Sequence, residues 1–276
     1  MNDARNKNNR SNASVLFFFN GQALFIGQGT DAAPHTHHVL QITIGLKENF
    51  RICRDDEWIS ARYAITGPDT SHRLEGPDSG QAILLLDPEN RVTENIKDKF
   101  LGTTSMAFPE FESVRPFAGE LNRLSGKPSC QTARAAMEGI LSALVPDLKP
   151  SPGRDPRIMK VRAYLKTLEE KKIPLSELSD FIGLSESRLV HLFKSETGIP
   201  IRRYLLWLRL MEALTLILEN VSFTTAAHDA GFSDSAHLSR TFKQMFGIPP
   251  KQILKNSQFV QAISCPEQYP DCKPFN

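Results

Sequence analysis

Histidine carries the most versatile chemistry available at neutral pH, and this sequence concentrates it: His35, His37 and His38 fall within "PHTHHVLQ", and His72 follows in "TSHRLEG". Two histidines at i and i+2 on a strand project to one side, a geometry used to bind Zn, Fe or Mn. Four residues beyond His37 stands Gln41, an amide that brings no negative charge to offset a divalent cation. Three readings stay open: a metal site, polar contacts to a small effector, or polar residues at the mouth or core of a β structure. No metal is expected, and His35, His37, Gln41, Trp58 and His72 are the expected effector contacts, with Arg51, Arg62 and Tyr63 as further polar candidates. No Ser/His/Asp or Cys/His arrangement and no phosphate-binding glycine loop stands out, so neither a catalytic residue nor a cofactor is expected.

A second chemistry-bearing pattern occurs twice, as "GLSESRLVHLFKSETG" from Gly183 to Gly198 and "GFSDSAHLSRTFKQMFG" from Gly231 to Gly247. Gly183 and Gly231 sit where one short helix must stop in a left-handed conformation, and Ser185 and Ser233 are placed to cap the next. In that next helix Leu189, Leu192 and Phe193, or Leu238, Thr241, Phe242 and Met245, face inward. The outward residues are Ser187, Arg188, Val190, His191 and Lys194 in one copy and Ser235, Ala236, His237, Ser239, Arg240 and Lys243 in the other. Hydroxyl, imidazole and guanidinium groups of that kind suit base edges in a major groove, and Val190 suits a thymine methyl. A helix from Pro200 to about Glu219 joins the copies, and at roughly 30 Å it could set two reading helices about one duplex turn, ~34 Å, apart.

The elements that must position these residues divide in two. At 276 residues the chain exceeds most single domains. Residues 14 to 88 alternate short apolar runs such as "SVLFFF", "LQITIGL" and "AILLLD" with Gly, Pro and Asp turns, the pattern of a β-sandwich or small barrel. In "QTARAAMEGILSALV" Ala133, Met137, Ile140, Leu141 and Leu144 share a helical face. "PDLKPSPGRDP", Pro146 to Pro156, has four prolines and is read as an extended connector, after which the chain is helical almost throughout. The first part holds 15 Lys and Arg against 17 Asp and Glu through residue 146, the rest 18 against 14, so the basic excess lies with the repeat. No run approaches a membrane span or has the form of a secretory leader, and Cys53, Cys130, Cys265 and Cys272 are therefore expected as reduced thiols in a cytoplasmic protein.

From about Arg157 to Leu254 the chain resembles the DNA-binding domain of the AraC/XylS family of transcription regulators, with "AGFSDSAHLSRTFKQMFGIPP" carrying most of the likeness. The resemblance implies an α+β multidomain fold: residues 1–13 a disordered tail, 14–146 a cupin-like β-barrel with following helices for effector binding and dimerisation, 147–156 a linker, 157–256 two helix-turn-helix units joined by a helix, and 257–276 a tail. It implies recognition helices over 186–196 and 234–245, double-stranded DNA, a small-molecule effector and RNA polymerase as partners, a homodimer through 131–145, and activation as the family's commoner habit. Pro174 departs from it, standing where a capping Ser or Thr is common. Gly29, five residues and His35-x-His37 resemble the opening of the cupin metal motif, but Gln41 replaces the glutamate and His72 lies one residue closer to Pro68 than usual. The alternative function is a metal-dependent cupin enzyme with a helical appendage, and a third is a helical adaptor that binds no DNA.

Overall fold

The computed structural model describes residues 14–19, 22–28, 32–87, 90–147, 155–168, 173–197, 199–247, 249–250 and 260–265. The expected N-terminal tail 1–13, most of the linker 147–156, the motif glycine Gly29 and the repeat anchor Gly198 lie outside the described residues. Residues 1–148 with 243–276 form one compact unit and residues 149–242 another.

The first unit is built on eleven described strands: β1 Ser14–Phe19, β2 Gln22–Gly27, β3 Ala32–His35, β4 Leu40–Gly45, β5 Phe50–Arg54, β6 Glu57–Ala61, β7 Tyr63–Thr66, β8 His72–Glu75, β9 Gln81–Leu86, β10 Met106–Ala107 and β11 Val260–Ser264. They make a seven-stranded sheet, β10-β7-β4-β9-β2-β1-β11, and a four-stranded sheet, β3-β8-β5-β6. The expected barrel is thus two open sheets among the described residues, not one sheet closed on itself. Strands β1, β2 and β4 are buried at every position, because the larger sheet is covered on both faces. Leu40, Ile42, Ile44, Ile65 and Leu84 pack with helix residues on one face. Ala64, Ile83 and Met106 meet Phe50, Ile52 and Leu74 of the smaller sheet on the other. Gln41 and Thr43 alternate with Leu40, Ile42 and Ile44, so they point between the sheets.

Helix α1, Arg91–Ile96, is capped by Asn90, whose side chain accepts the Val92 N–H at 2.9 Å, and runs on into a π-helical turn, Lys97–Leu101. Helices α2, Phe117–Gly126, and α3, Cys130–Leu144, cover the larger sheet. The apolar stripe is core: Ala133, Ala136, Met137, Ile140, Leu141 and Leu144 of α3 are all buried among the chain's own residues, so a homodimer through 131–145 would have to use the other faces of the helix. An apolar face against the sheet removes that area from water and leaves none of it for a second chain.

The expected C-terminal tail is also corrected. Strand β11 pairs in parallel with β1, Ser14 opposite Val260 through Phe18 opposite Ser264, and the Cys265 N–H donates to Phe18 O at 2.8 Å. Cys265 is bonded to Cys130 at the start of α3, so two cysteines expected as free thiols form a disulfide across a sequence separation of 135 residues.

In the second unit the helices are α4 Pro156–Thr167, α5 Leu175–Ile182, α6 Glu186–Thr197, α7 Ile201–Leu218 and α8 Phe223–Asp229; α9, Ser235–Phe246, begins within it. Asp155 caps α4, accepting the Arg157 N–H at 2.9 Å and its guanidinium at 3.0 and 2.6 Å. That guanidinium holds the Asp155 carboxyl down to about 2. Ile158, Val161 and Leu165 of α4 close on Leu178, Leu189, Phe193 and Tyr204 in one buried cluster. Pro174 starts α5 without any side-chain cap, the consequence foreseen for that position.

Candidate nucleic-acid interface and histidine cluster

Each repeat folds as a helix, a tight turn and a helix. Gly183 and Gly231 take positive φ, 66° and 82°, where a Cβ would be strained. Ser185 Oγ accepts the Arg188 N–H at 3.3 Å and so caps α6. In the second copy the cap is Asp234 rather than Ser233: its carboxylate accepts the His237 N–H at 2.6 Å, and Ser233 Oγ donates to the same carboxylate at 3.2 Å. Donation from that backbone N–H lowers the Asp234 carboxyl, and a carboxylate also outperforms a hydroxyl at the positive end of a helix. The sequence analysis placed the cap at Ser233; the turn geometry moves it one residue on, to Asp234.

Caps and buried anchors fix which faces look outward. Leu189, Phe193, Leu238, Thr241, Phe242 and Met245 are buried as expected. Ser187, Arg188, His191 and Lys194 of α6 and Ala236, Arg240 and Lys243 of α9 are exposed, with Ser235 and Ser239 half-buried. Two candidates are reassigned. Val190 is half-buried against the α4–α7 cluster, because position 190 lies beside Leu189 and Phe193 on the inner half of the helix. His237 is held by Ser233 Oγ at 3.2 Å and by the Phe232 ring at a 5.1 Å centroid distance, so it braces the turn. Helix α7, 18 residues, spans about 27 Å.

In the first unit the structure brings four of the five expected effector residues together. His35 ends β3 opposite His72 of β8; His37 follows β3, and Gln41 lies in β4. Ring centroids are 4.3 Å apart for His35 and His72, 5.1 Å for His37 and His72, and 5.5 Å for His35 and His37. All four side chains are buried. Thr66, across from Gln41 and buried, adds a hydroxyl that the sequence did not single out. Trp58 is the exception. The register Arg73–Cys53–Trp58 puts it on the opposite face from His72, where Arg51 and Arg73 stack on its ring at 4.7 and 5.3 Å. Of the further candidates, Arg51 shares that outer face, Arg62 donates to Leu46 O at 2.6 Å, and Tyr63 packs on Phe111.

Each of the three rings has its Nδ1 on a backbone carbonyl two residues away: His35 on Ala33 O at 2.9 Å, His37 on Val39 O and His72 on Thr70 O, both at 3.0 Å. A carbonyl only accepts, so in the neutral ring Nδ1 carries the proton and Nε2 keeps its lone pair. Gln41 contacts His37 Nε2 and Thr43 Oγ1, each at 3.0 Å; only the amide rotation that donates to His37 fits this tautomer. Nε2 of His72 has no hydrogen-bond partner among the described residues.

Burial pushes all three rings toward the uncharged form, His37 included, and repulsion from neighbouring rings adds to it at His35, lowered to about 4, and at His72, lowered to about 2. A depressed folded value means that the unfolded chain takes up protons first, so stability present above pH ~6.5 is lost as pH falls toward 4. His35 alone then costs roughly 2 kcal/mol at pH 5. Chelator-treated protein should accordingly melt several degrees lower at pH 5 than at pH 7; equal melting temperatures would place the histidines in water.

Residues 178–256 match the family model described as a helix-turn-helix domain. Over 109 residues the chain is 31% identical to the HTH-type transcriptional regulator GbdR of Pseudomonas aeruginosa, which covers 39% of this chain and 30% of that protein. Over 115 residues it is 33% identical to an uncharacterised HTH-type transcriptional regulator of Staphylococcus aureus, covering 39% of this chain and 15% of that one. The chain therefore spans less than a third of the length of these curated relatives. In fold it is similar to ToxT from Vibrio cholerae, with a TM-score of 0.53 at 9% identity over 85% of this chain and 97% of ToxT. A ToxT structure with bound unsaturated fatty acid aligns at a TM-score of 0.53 and 10% identity over 84% of this chain and 93% of that one. The sequence match is thus to a C-terminal helix-turn-helix domain, and the two-domain fold, β-rich then helical, is similar to that of ToxT.

Proposed function

We propose that the chain is a sequence-specific DNA-binding transcription regulator, reading duplex DNA with α6 and α9 and responding to a small molecule through its β-rich unit. The observation that carries this is the duplicated helix-turn-helix, in which both second helices are pinned by buried leucine and phenylalanine and turn Arg188, Lys194, Arg240 and Lys243 outward. Polar and basic side chains on a rigid helix match the donor and acceptor pattern of a major groove. The comparisons favour a regulator over the cupin enzyme, since the relatives matched in sequence are HTH-type transcriptional regulators.

Activation and contact with RNA polymerase follow the family resemblance. No helix among the described residues is long and apolar enough to cross a membrane. The bound fatty acid of ToxT is a precedent for a small ligand in this fold, while the buried His35, His37, Gln41, Thr66 and His72 give this chain a polar interior of its own.

Selection of bound duplexes from a random pool, followed by anisotropy titration, tests the proposal. Arg240→Ala should lose about 1–3 kcal/mol of affinity and relax base preference in one half of the site. Lys194→Ala should weaken all duplexes alike and flatten the salt dependence by about one unit. Association with duplex DNA that shows neither sequence preference nor salt dependence would sink the reading and leave the adaptor.

A further inference from the structure

We infer that His35, His37 and His72 form a binding site for one divalent first-row transition metal ion. The inference goes beyond the regulator reading and does not depend on it. It stands on geometry: the nitrogens that these three buried side chains offer all lie within 4.8 Å of one another. Three imidazole nitrogens around a tetrahedral ion at 2.0–2.1 Å lie roughly 3.3 Å apart, so small side-chain rotations close the set.

Two further features point the same way. First, each Nδ1 is already held by a main-chain carbonyl, on Ala33, Val39 and Thr70. Such an outer partner fixes the ring and the tautomer of a metal-ligating histidine and keeps Nε2 unprotonated, with the Gln41 amide on His37 Nε2 giving way to the ion. Secondly, Nε2 of His72 is buried with no hydrogen-bond partner among the described residues, an arrangement that is costly unless something takes the lone pair. Packing of three histidines for bulk alone explains neither feature.

The sequence argued against metal because an amide, Gln41, stands where a carboxylate is usual. The third nitrogen arrives instead through the pairing of β3 with β8, which sets His72 opposite His35. A set of neutral nitrogens with no carboxylate in the group selects Zn, Co, Ni, Cu or Fe(II) over Mg or Ca, which require oxygen ligands. Three protein ligands leave at least one coordination position open.

Untagged full-length protein, stripped with chelator and titrated with Co²⁺ without DNA, tests this. The expected result is one equivalent bound per chain, with the visible absorption of low-coordinate cobalt, displacement by Zn²⁺ and no competition from excess Mg²⁺. His72→Gln and His35→Asn should each lower affinity at least about 100-fold, since losing only an outer partner costs 10- to 100-fold. His191→Gln, on the exposed face of α6, should leave it unchanged. No cobalt absorption in the folded wild-type protein, or undiminished affinity in folded His72→Gln, overturns the site. Should His72→Gln fail to fold, the wild-type spectrum and His35→Asn still decide. Loss of sequence-specific DNA binding would fall on the regulator reading alone.

Discussion

Phe193→Ala is expected to remove about 3–5 kcal/mol from the helical unit, enough to unfold much of it. Phe193 is fully buried, with its ring 5.6 Å from that of Tyr204 and its cluster drawn from α4, α5, α6 and α7. No single helix can relax into the space, so both the transfer and the cavity contributions fall on the fold. The two tryptophans make this measurable, because Trp58 lies in the β-rich unit and buried Trp207 in the helical one. In a Trp58→Phe background, urea unfolding followed through Trp207 should show a lower midpoint at unchanged slope. Phe242→Ala probes the second copy in the same way, since Phe242 is buried equally well. An unchanged midpoint in both would mean that these rings do not anchor the repeat. DNA affinity should fall with the folded fraction, whereas Arg240→Ala should lower it with no change in the midpoint.

Removing the Cys130–Cys265 bond should destabilise the β-rich unit by up to about 5 kcal/mol. The bridge joins residues 135 apart, and the chain-entropy cost of leaving so long a loop open scales with the logarithm of its length. It also anchors β11, whose partner β1 would otherwise be an edge strand of the larger sheet. Cys265→Ala with Cys130→Ala, followed through Trp58 in a Trp207→Phe background, gives the difference directly. Reductant should bring the wild-type protein to the same midpoint. If reductant leaves that midpoint unmoved, the bridge contributes nothing and β11 is held by its ladder alone.

Much of the DNA-reading half was legible from residues alone. Helices expected over 186–196 and 234–245 occur as Glu186–Thr197 and Ser235–Phe246, and both glycine turns take the left-handed conformation. Turn glycines, polar caps and i, i+3, i+4 apolar spacing are local signals, and each is read within one or two turns of chain. The misplacements were finer: Asp234 caps where Ser233 was expected, and Val190 packs where it was expected to read. Both depend on angles of a few tens of degrees about a helix axis.

The β-rich half was legible only as strands and turns. Local alternation placed His35 and His37 together and marked Gln41 as uncharged. Only the pairing of β3 with β8 set His72 against them, and only the register of β5, β6 and β8 turned Trp58 outward. The same holds for Cys265, which the sequence left in a tail and the fold carries to Cys130. What the sequence determined by itself is what a short segment can decide: two capped helix-turn-helix units with a basic outward face. What the tertiary structure decided is which distant segments meet. A strand's periodicity names its two faces without naming its neighbour, and a shift of one residue exchanges them.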